Sequence, residues 1–172
     1  MEKTLNDIMN YAIQAHTDCN HRYAKVYPYS YHLEIAVAFG KKFKHLIPEK
    51  DWNDVEGGIW CHDLIEDARQ TYNDVKKSTN KVVAEYSYVL ANEKGRDRAH
   101  RANAKYYRGI RRYKHASFIK LCDRLANVYY SIQSKSPMLE TYKKEQSHFR
   151  NELYDSNYEE IWIQLETFIN EN

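Results

Sequence analysis

The sequence predicts an all-α domain, and three observations carry that expectation. Glycine and proline, the residues that interrupt regular structure, number only five and three in 172. Apolar residues recur at three- and four-residue intervals through most of the chain, the period of a helix with one buried face. No internal repeat or low-complexity tract breaks the pattern, so residues 1–172 read as one domain, long enough to bury a core. Leu5, Met9, Ala12 and Ile13 mark a first helix ending near Cys19. Tyr29 and Ser30 lead from a loop into a second, which carries Leu33, Ala36 and Val37 to about His45, and Pro48 ends that stretch. Asp51 stands where it can cap a third helix, Trp52 to Asp67. Thr71-Tyr72-Asn73-Asp74 has the form of a capping box with Asp in place of Glu, so a short helix starts there, followed by another from about Lys81 to Asn92. Gly95 breaks the pattern before a very basic helix from Asp97 to about Arg112. Ala116 to Gln133 reads as an apolar helix, and Pro137 opens a pair of C-terminal helices over about 137–170.

Charge and cysteine content exclude several classes. A net charge of +2 makes no case for a nucleic-acid or membrane partner, although basic residues concentrate between Lys94 and Lys114. No apolar run approaches a membrane span, and Met1-Glu2-Lys3 lacks the hydrophobic stretch of a signal peptide, so a soluble protein of the cytoplasm is expected. Cys19, Cys61 and Cys122 are odd in number and form no Cys-x-x-Cys pair, which points to reduced thiols. The sixteen tyrosines fall largely on helical stripes and read as packed rings with their hydroxyls at the protein edge. Trp60 and Cys61 read as core.

The densest chemistry lies in Cys61-His62-Asp63-Leu64-Ile65-Glu66-Asp67, one imidazole and three carboxylates within two helical turns. On a continuous helix His62 and Glu66 stand at i and i+4, Asp63 and Glu66 at i and i+3, and Asp63 and Asp67 at i and i+4. All four then share one edge while Leu64 and Ile65 face inward. Crowded carboxylates repel unless a cation neutralises them or their pKa values rise, and at a helix C-terminus they also oppose the macrodipole. A divalent ion is the simplest remedy. His32 upstream and Asp123 downstream extend the set, and Asp123 lies in the apolar stretch Ile119 to Val128, where a carboxylate needs a buried partner.

The order His32, His62-Asp63, Asp123 resembles the ligand order of the HD-domain metal phosphohydrolases, and the similarity is closest to the RelA/SpoT-type alarmone hydrolases. Pro28-Tyr29-Ser30-Tyr31-His32 is similar to their Pro-Tyr-x-x-His, and His62-Asp63-Leu64-Ile65-Glu66-Asp67 to their His-Asp-x-x-Glu-Asp. Lys120-Leu121-Cys122-Asp123-Arg124-Leu125-Ala126-Asn127 resembles their Lys-Leu-Ala-Asp-Arg-Leu-x-Asn, and Ala15-His16 their preceding Ala-His. The likeness spans about residues 11–130. It implies a single-domain HD helical bundle and a manganese-dependent enzyme that removes pyrophosphate from the 3′ position of guanosine tetra- or pentaphosphate. His32, His62, Asp63 and Asp123 would be the ligands, a nitrogen and oxygen set that suits manganese and leaves positions open. Glu66 and Asp67 would orient or deprotonate the attacking water and manage the leaving-group proton. Tyr29 would bring a ring near the metal loop. Arg22 and Lys25 precede the Pro-Tyr motif, where the family sets an Arg-Lys pair against the nucleotide, but here they are separated. Asn127 matches a nucleotide-contacting position.

The run Gly95 to Tyr107 departs from the larger alarmone hydrolases. Arg98, Arg101 and Lys105 fall on one stripe that can hold a polyphosphate, with Arg101 and Lys105 the preferred contacts. Three classes of function share these residues: a small alarmone hydrolase, an HD phosphohydrolase of another nucleotide (a nucleoside triphosphate, a nucleoside monophosphate or a 2′-phosphorylated dinucleotide cofactor), and a non-catalytic nucleotide sensor. All take a small-molecule nucleotide as partner.

Overall fold

The computed structural model describes residues 3–172; Met1 and Glu2, part of the N-terminal stretch read above, lie outside them. The chain folds as an all-α single domain. Its helices are α1 (Leu5–Asp18), α2 (Ser30–Lys42), α3 (Glu49–Cys61), α4 (Leu64–Asp67), α5 (Tyr72–Ser78), α6 (Lys81–Leu90), α7 (Arg98–Arg101), α8 (Ala104–Arg112), α9 (Ala116–Gln133), α10 (Met138–Leu153) and α11 (Glu159–Asn170). Among the described residues no helix is long and apolar enough to cross a membrane. The three cysteines are free thiols, Cys61 and Cys122 buried.

α9 is the axis of the molecule. It packs against α2, α3, α6, α8, α10 and α11, which is why its sequence is apolar nearly all round. Phe118, Ile119, Leu121, Cys122, Leu125, Ala126 and Val128 are fully buried. α3 crosses close by because Gly58 has no side chain: a Cβ there would stand 2.6 Å from Ile119 Cδ1 and 2.7 Å from the Tyr86 ring. This glycine serves packing inside a helix.

Local signals set several boundaries. Thr4 and Thr71 each form a capping box with Asp7 and Asp74, two turns that sequence specifies by itself. The third helix differs from the expectation at both ends. It begins at Glu49 behind Pro48, which leaves Asp51 free to bind Lys114 at 2.7 Å and His115 at 3.0 Å. It also stops at Cys61, and α4 is a separate single turn. Two side chains occupy the carbonyls that a continuing helix would use. Ser87 of α6 donates to the Cys61 carbonyl at 2.7 Å, and His62 Nδ1 donates to that of Ile59 at 2.7 Å. The basic helix is likewise broken, because the Asn103 side chain accepts from the amides of Lys105 and Tyr106 and starts α8 anew. Residues read as a loop before α2 form a small antiparallel hairpin, Arg22–Tyr23 (β1) with Tyr27–Pro28 (β2), paired Arg22 to Pro28 and Tyr23 to Tyr27.

Candidate metal centre

Four elements deliver the four expected ligands to one point. His32 sits in the first turn of α2, His62 just past the end of α3, Asp63 at the break before α4, and Asp123 mid-way along α9. One ligand atom from each lies within 4.8 Å of the others. His32 Nε2 is 3.1 Å and His62 Nε2 3.5 Å from Asp123 Oδ1, and His62 Nε2 is 3.0 Å from Asp63 Oδ2. The two imidazoles are almost completely buried.

The surroundings fix the orientation of each group. The Ile59 carbonyl holds the Nδ1 proton of His62, so Nε2 faces the cluster, where it is buried close to the Asp63 and Asp123 carboxylates but makes no well-aligned hydrogen bond. Tyr29 donates its hydroxyl to Asp63. Asp123 accepts from Lys120 Nζ at 2.8 Å and from Asn127 Nδ2 at 2.7 Å. Asn127 in turn takes the Tyr23 hydroxyl on its oxygen at 3.0 Å, so both ends of its amide are engaged. Burial alone would raise the Asp63 and Asp123 carboxyls, but His62 and Lys120 hold both well below the usual range. Burial alone would likewise lower His62, yet Asp63 and Asp123 hold it well above its ordinary value. Two carboxylates thus balance an imidazolium and an ammonium. A divalent cation fits this donor set: it would displace the His62 proton and meet His62 Nε2, two neighbouring carboxylates and His32.

Glu66 and Asp67 stand beside this cluster and outside it. The break at residues 62–63 turns Glu66 toward the segment after α6, where Asn92 donates from its amide nitrogen at 3.1 Å and from Nδ2 at 2.9 Å. The expected single helical edge holding His62, Asp63, Glu66 and Asp67 is therefore corrected to two short segments with different tethers. The Asp67 carboxyl is pushed up, first by partial burial and then by the charges of Asp63 and Glu66, against the pull of His62 and Arg101, although the residue as a whole is exposed and solvent screens the effect.

A cavity of about 430 Å³ opens over these groups. Its lining brings the carboxylates of Asp63, Glu66, Asp67 and Asp123 together with the basic side chains of Arg98, Arg101, Lys120, Arg124, Lys144 and His148, and includes Tyr29 and Asn127. Arg98 and Arg124 are both tied to Glu145, at 2.8 and 3.0 Å, and Arg124 lies over the Tyr142 and Phe149 rings. Arg101 and Lys144 make no ion pair among the described residues, so they are the spare cations. Sequence reading missed Asn92, Arg124, Lys144 and His148. Only Arg124, beside Asp123, carried a nearby signal; α10 is distant in the chain from every motif.

Three expected substrate contacts lie outside the cavity lining. Lys105 lies on the outer face of α8, bound to Glu93 at 2.9 Å, and is not in the cavity wall. Arg22 and Lys25 are exposed on the hairpin and its turn, also outside the cavity. Tyr29 and Asn127 line the cavity, but their polar atoms are already committed to Asp63 and Asp123. No protein-family model and no curated protein matches the chain. An all-α fold with a His/Asp cluster able to bind metal is compatible with an HD-type domain.

A pH dependence follows from His16 on α1, which is buried among His21, Tyr29 and the ligand cluster, its Nδ1 2.9 Å from that of His21. Burial lowers His16 to about 3, so the folded protein keeps it neutral where the unfolded chain, with an ordinary value near 6.5, takes a proton. The sign is destabilising on acidification: stability falls as pH drops from about 6.5 toward 3, by about 1.4 kcal/mol per pH unit for one such group. Chemical denaturation of wild type and His16→Gln between pH 6.5 and 5 should show a shallower slope in the variant; equal slopes would refute it.

Proposed function

We propose that this protein is a metal-dependent nucleotide phosphohydrolase of the HD type, and that its substrate is guanosine 3′,5′-bis(diphosphate), cleaved to guanosine diphosphate and pyrophosphate. One observation carries the reading: two of the four clustered residues, Asp63 and Asp123, share one cavity with Glu66, Asp67 and the unpaired cations Arg101 and Lys144. The motif likeness of His62 to Asp67 and Lys120 to Asn127 supports the choice of substrate. Manganese matches the donor set.

A cation held by His32, His62, Asp63 and Asp123 supplies Lewis acidity and screens the substrate's negative charge. Lys120, Asn127 and Tyr29 keep the ligand carboxylates aimed inward. Glu66, gripped by two donors from Asn92, takes the proton of the attacking water. Asp67, its carboxyl raised by the charges of Asp63 and Glu66 as well as by partial burial, gives its proton to the departing ribose 3′ oxygen. Arg101 and Lys144 bind the phosphates by charge-assisted contacts.

Purified protein with manganese, offered a nucleotide panel, should release intact pyrophosphate and guanosine diphosphate from the tetraphosphate. Inorganic phosphate alone, or a far higher kcat/KM on an ordinary nucleoside triphosphate, would sink the alarmone substrate and leave the broader phosphohydrolase. In the same assay Arg101→Ala should raise KM, with a loss of about 1–3 kcal/mol for one charge-assisted hydrogen bond.

A further inference from the structure

On the reverse face of α8 from the metal cavity lies a second groove of about 580 Å³. Lys105, Arg108 and Arg112 stand along it at i, i+3 and i+7, a single helical stripe, and Lys94 faces them from the segment after α6. Among the described residues Lys94, Arg108 and Arg112 make no ion pair, and the carboxylate on the rim, Glu93, is bound to Lys105 at 2.9 Å. A row of cations by itself is an ordinary solvated face, but the floor between them is not ordinary. Gly109 occupies the i+4 position of the stripe, inside the helix, and a Cβ there would meet nothing within 4 Å. Glycine in a helix interior is destabilising against alanine, because it gives up more backbone freedom on folding. Close packing offsets this at the other helical glycines, as at Gly58; Gly109 packs against nothing and leaves bare backbone under the cations.

We infer that this groove is a second anion site, separate from the metal cavity, which takes a polyphosphate laid along the α8 stripe over Gly109. The inference is independent of the hydrolytic reading, since it uses none of the metal ligands. The two sites share a wall. Asn92 and Tyr106 line both, and Asn92 is the residue that grips Glu66. Glu93, next in sequence, binds Lys105 with its carboxylate and the Arg101 carbonyl with its amide at 3.1 Å. A polyphosphate competing for Lys105 loosens Glu93, and the change reaches Glu66 through Asn92. Such coupling is reciprocal, so a ligand in the metal cavity must shift groove affinity by the same factor.

The test is calorimetric titration of the full chain with tripolyphosphate. Arg111→Ala, whose arginine sits on the same helix but pairs with Glu152, should bind it as wild type does. Arg108→Ala/Arg112→Ala should weaken that binding on the order of a hundredfold, about tenfold for each guanidinium removed from the phosphates. Gly109→Leu fills the floor with a better helix former, so it should fold at least as stably and yet lose the site. In ¹⁵N spectra the Asn92 backbone and side-chain signals should move on addition of tripolyphosphate to wild type and stay still in the double variant. Undetectable binding, loss through Arg101→Ala alone, or full affinity in Gly109→Leu would each overturn the groove, and unmoved Asn92 signals at saturation would overturn the coupling.

Discussion

Asp63→Ala and His62→Ala should each leave a folded protein with no bound metal and no measurable hydrolysis. Asp63 is the ligand with the most demands on it. It faces His62 Nε2 at 3.0 Å, accepts the Tyr29 hydroxyl, and stands where α3 gives way to α4. Losing a group that merely orients a ligand costs about ten- to a hundredfold in metal affinity as a rule, and losing the ligand itself costs more. Elemental analysis should find one divalent ion per chain in wild type, manganese giving the highest activity, and none in the variants. Metal-free wild type, or equal occupancy across the series, would defeat the site. Metal uptake should also expel a proton, because Asp63 and Asp123 hold His62 protonated until a cation replaces it. Titration in buffers of different ionisation enthalpy measures that proton directly.

Glu66→Gln separates holding the ion from doing the chemistry. The amide keeps the shape and one acceptor for Asn92 but cannot take a proton from water. Metal content should match wild type while kcat falls by about a hundredfold or more, the usual scale of general acid–base catalysis. A retained rate with weakened metal binding would reverse the assignment and make Glu66 a ligand.

The sequence made legible whatever depends on near neighbours. The apolar helix Ala116–Gln133 begins and ends where its residues predict, because its periodic run is long and nothing local competes. The capping box Thr71–Asp74 is a four-residue device that acts without the rest of the fold, and the one at Thr4–Asp7, which went unread, is of the same kind. The ligands His32, His62, Asp63 and Asp123 were recognisable as a set by type and order, and they do meet. Features set by distant contacts were hidden. The break after Cys61 depends on a serine twenty-six residues away, and Lys105 faces outward because Asn103 restarts the helix before it. The cationic wall was half-read for the same reason: Arg98 and Arg124 are organised by Glu145 on α10, a partner no spacing rule could supply.

The Ser87 hydroxyl on the Cys61 carbonyl has a consequence for how the segment from Cys61 to Asp67 can vary. His62 closes the end of α3, while Asp63 starts the single turn that carries Glu66 and Asp67, a turn moored to Asn92 and, through the Cys19 thiol on the Asp67 carbonyl, to the end of α1. Seven consecutive residues thus take their positions from three different partners, α6, the segment after it and the end of α1. Substitutions around Asn92 or Cys19 should move Glu66 and Asp67 more than His62, and changes along α3 should do the reverse. A motif contiguous in the chain is held in space from several sides.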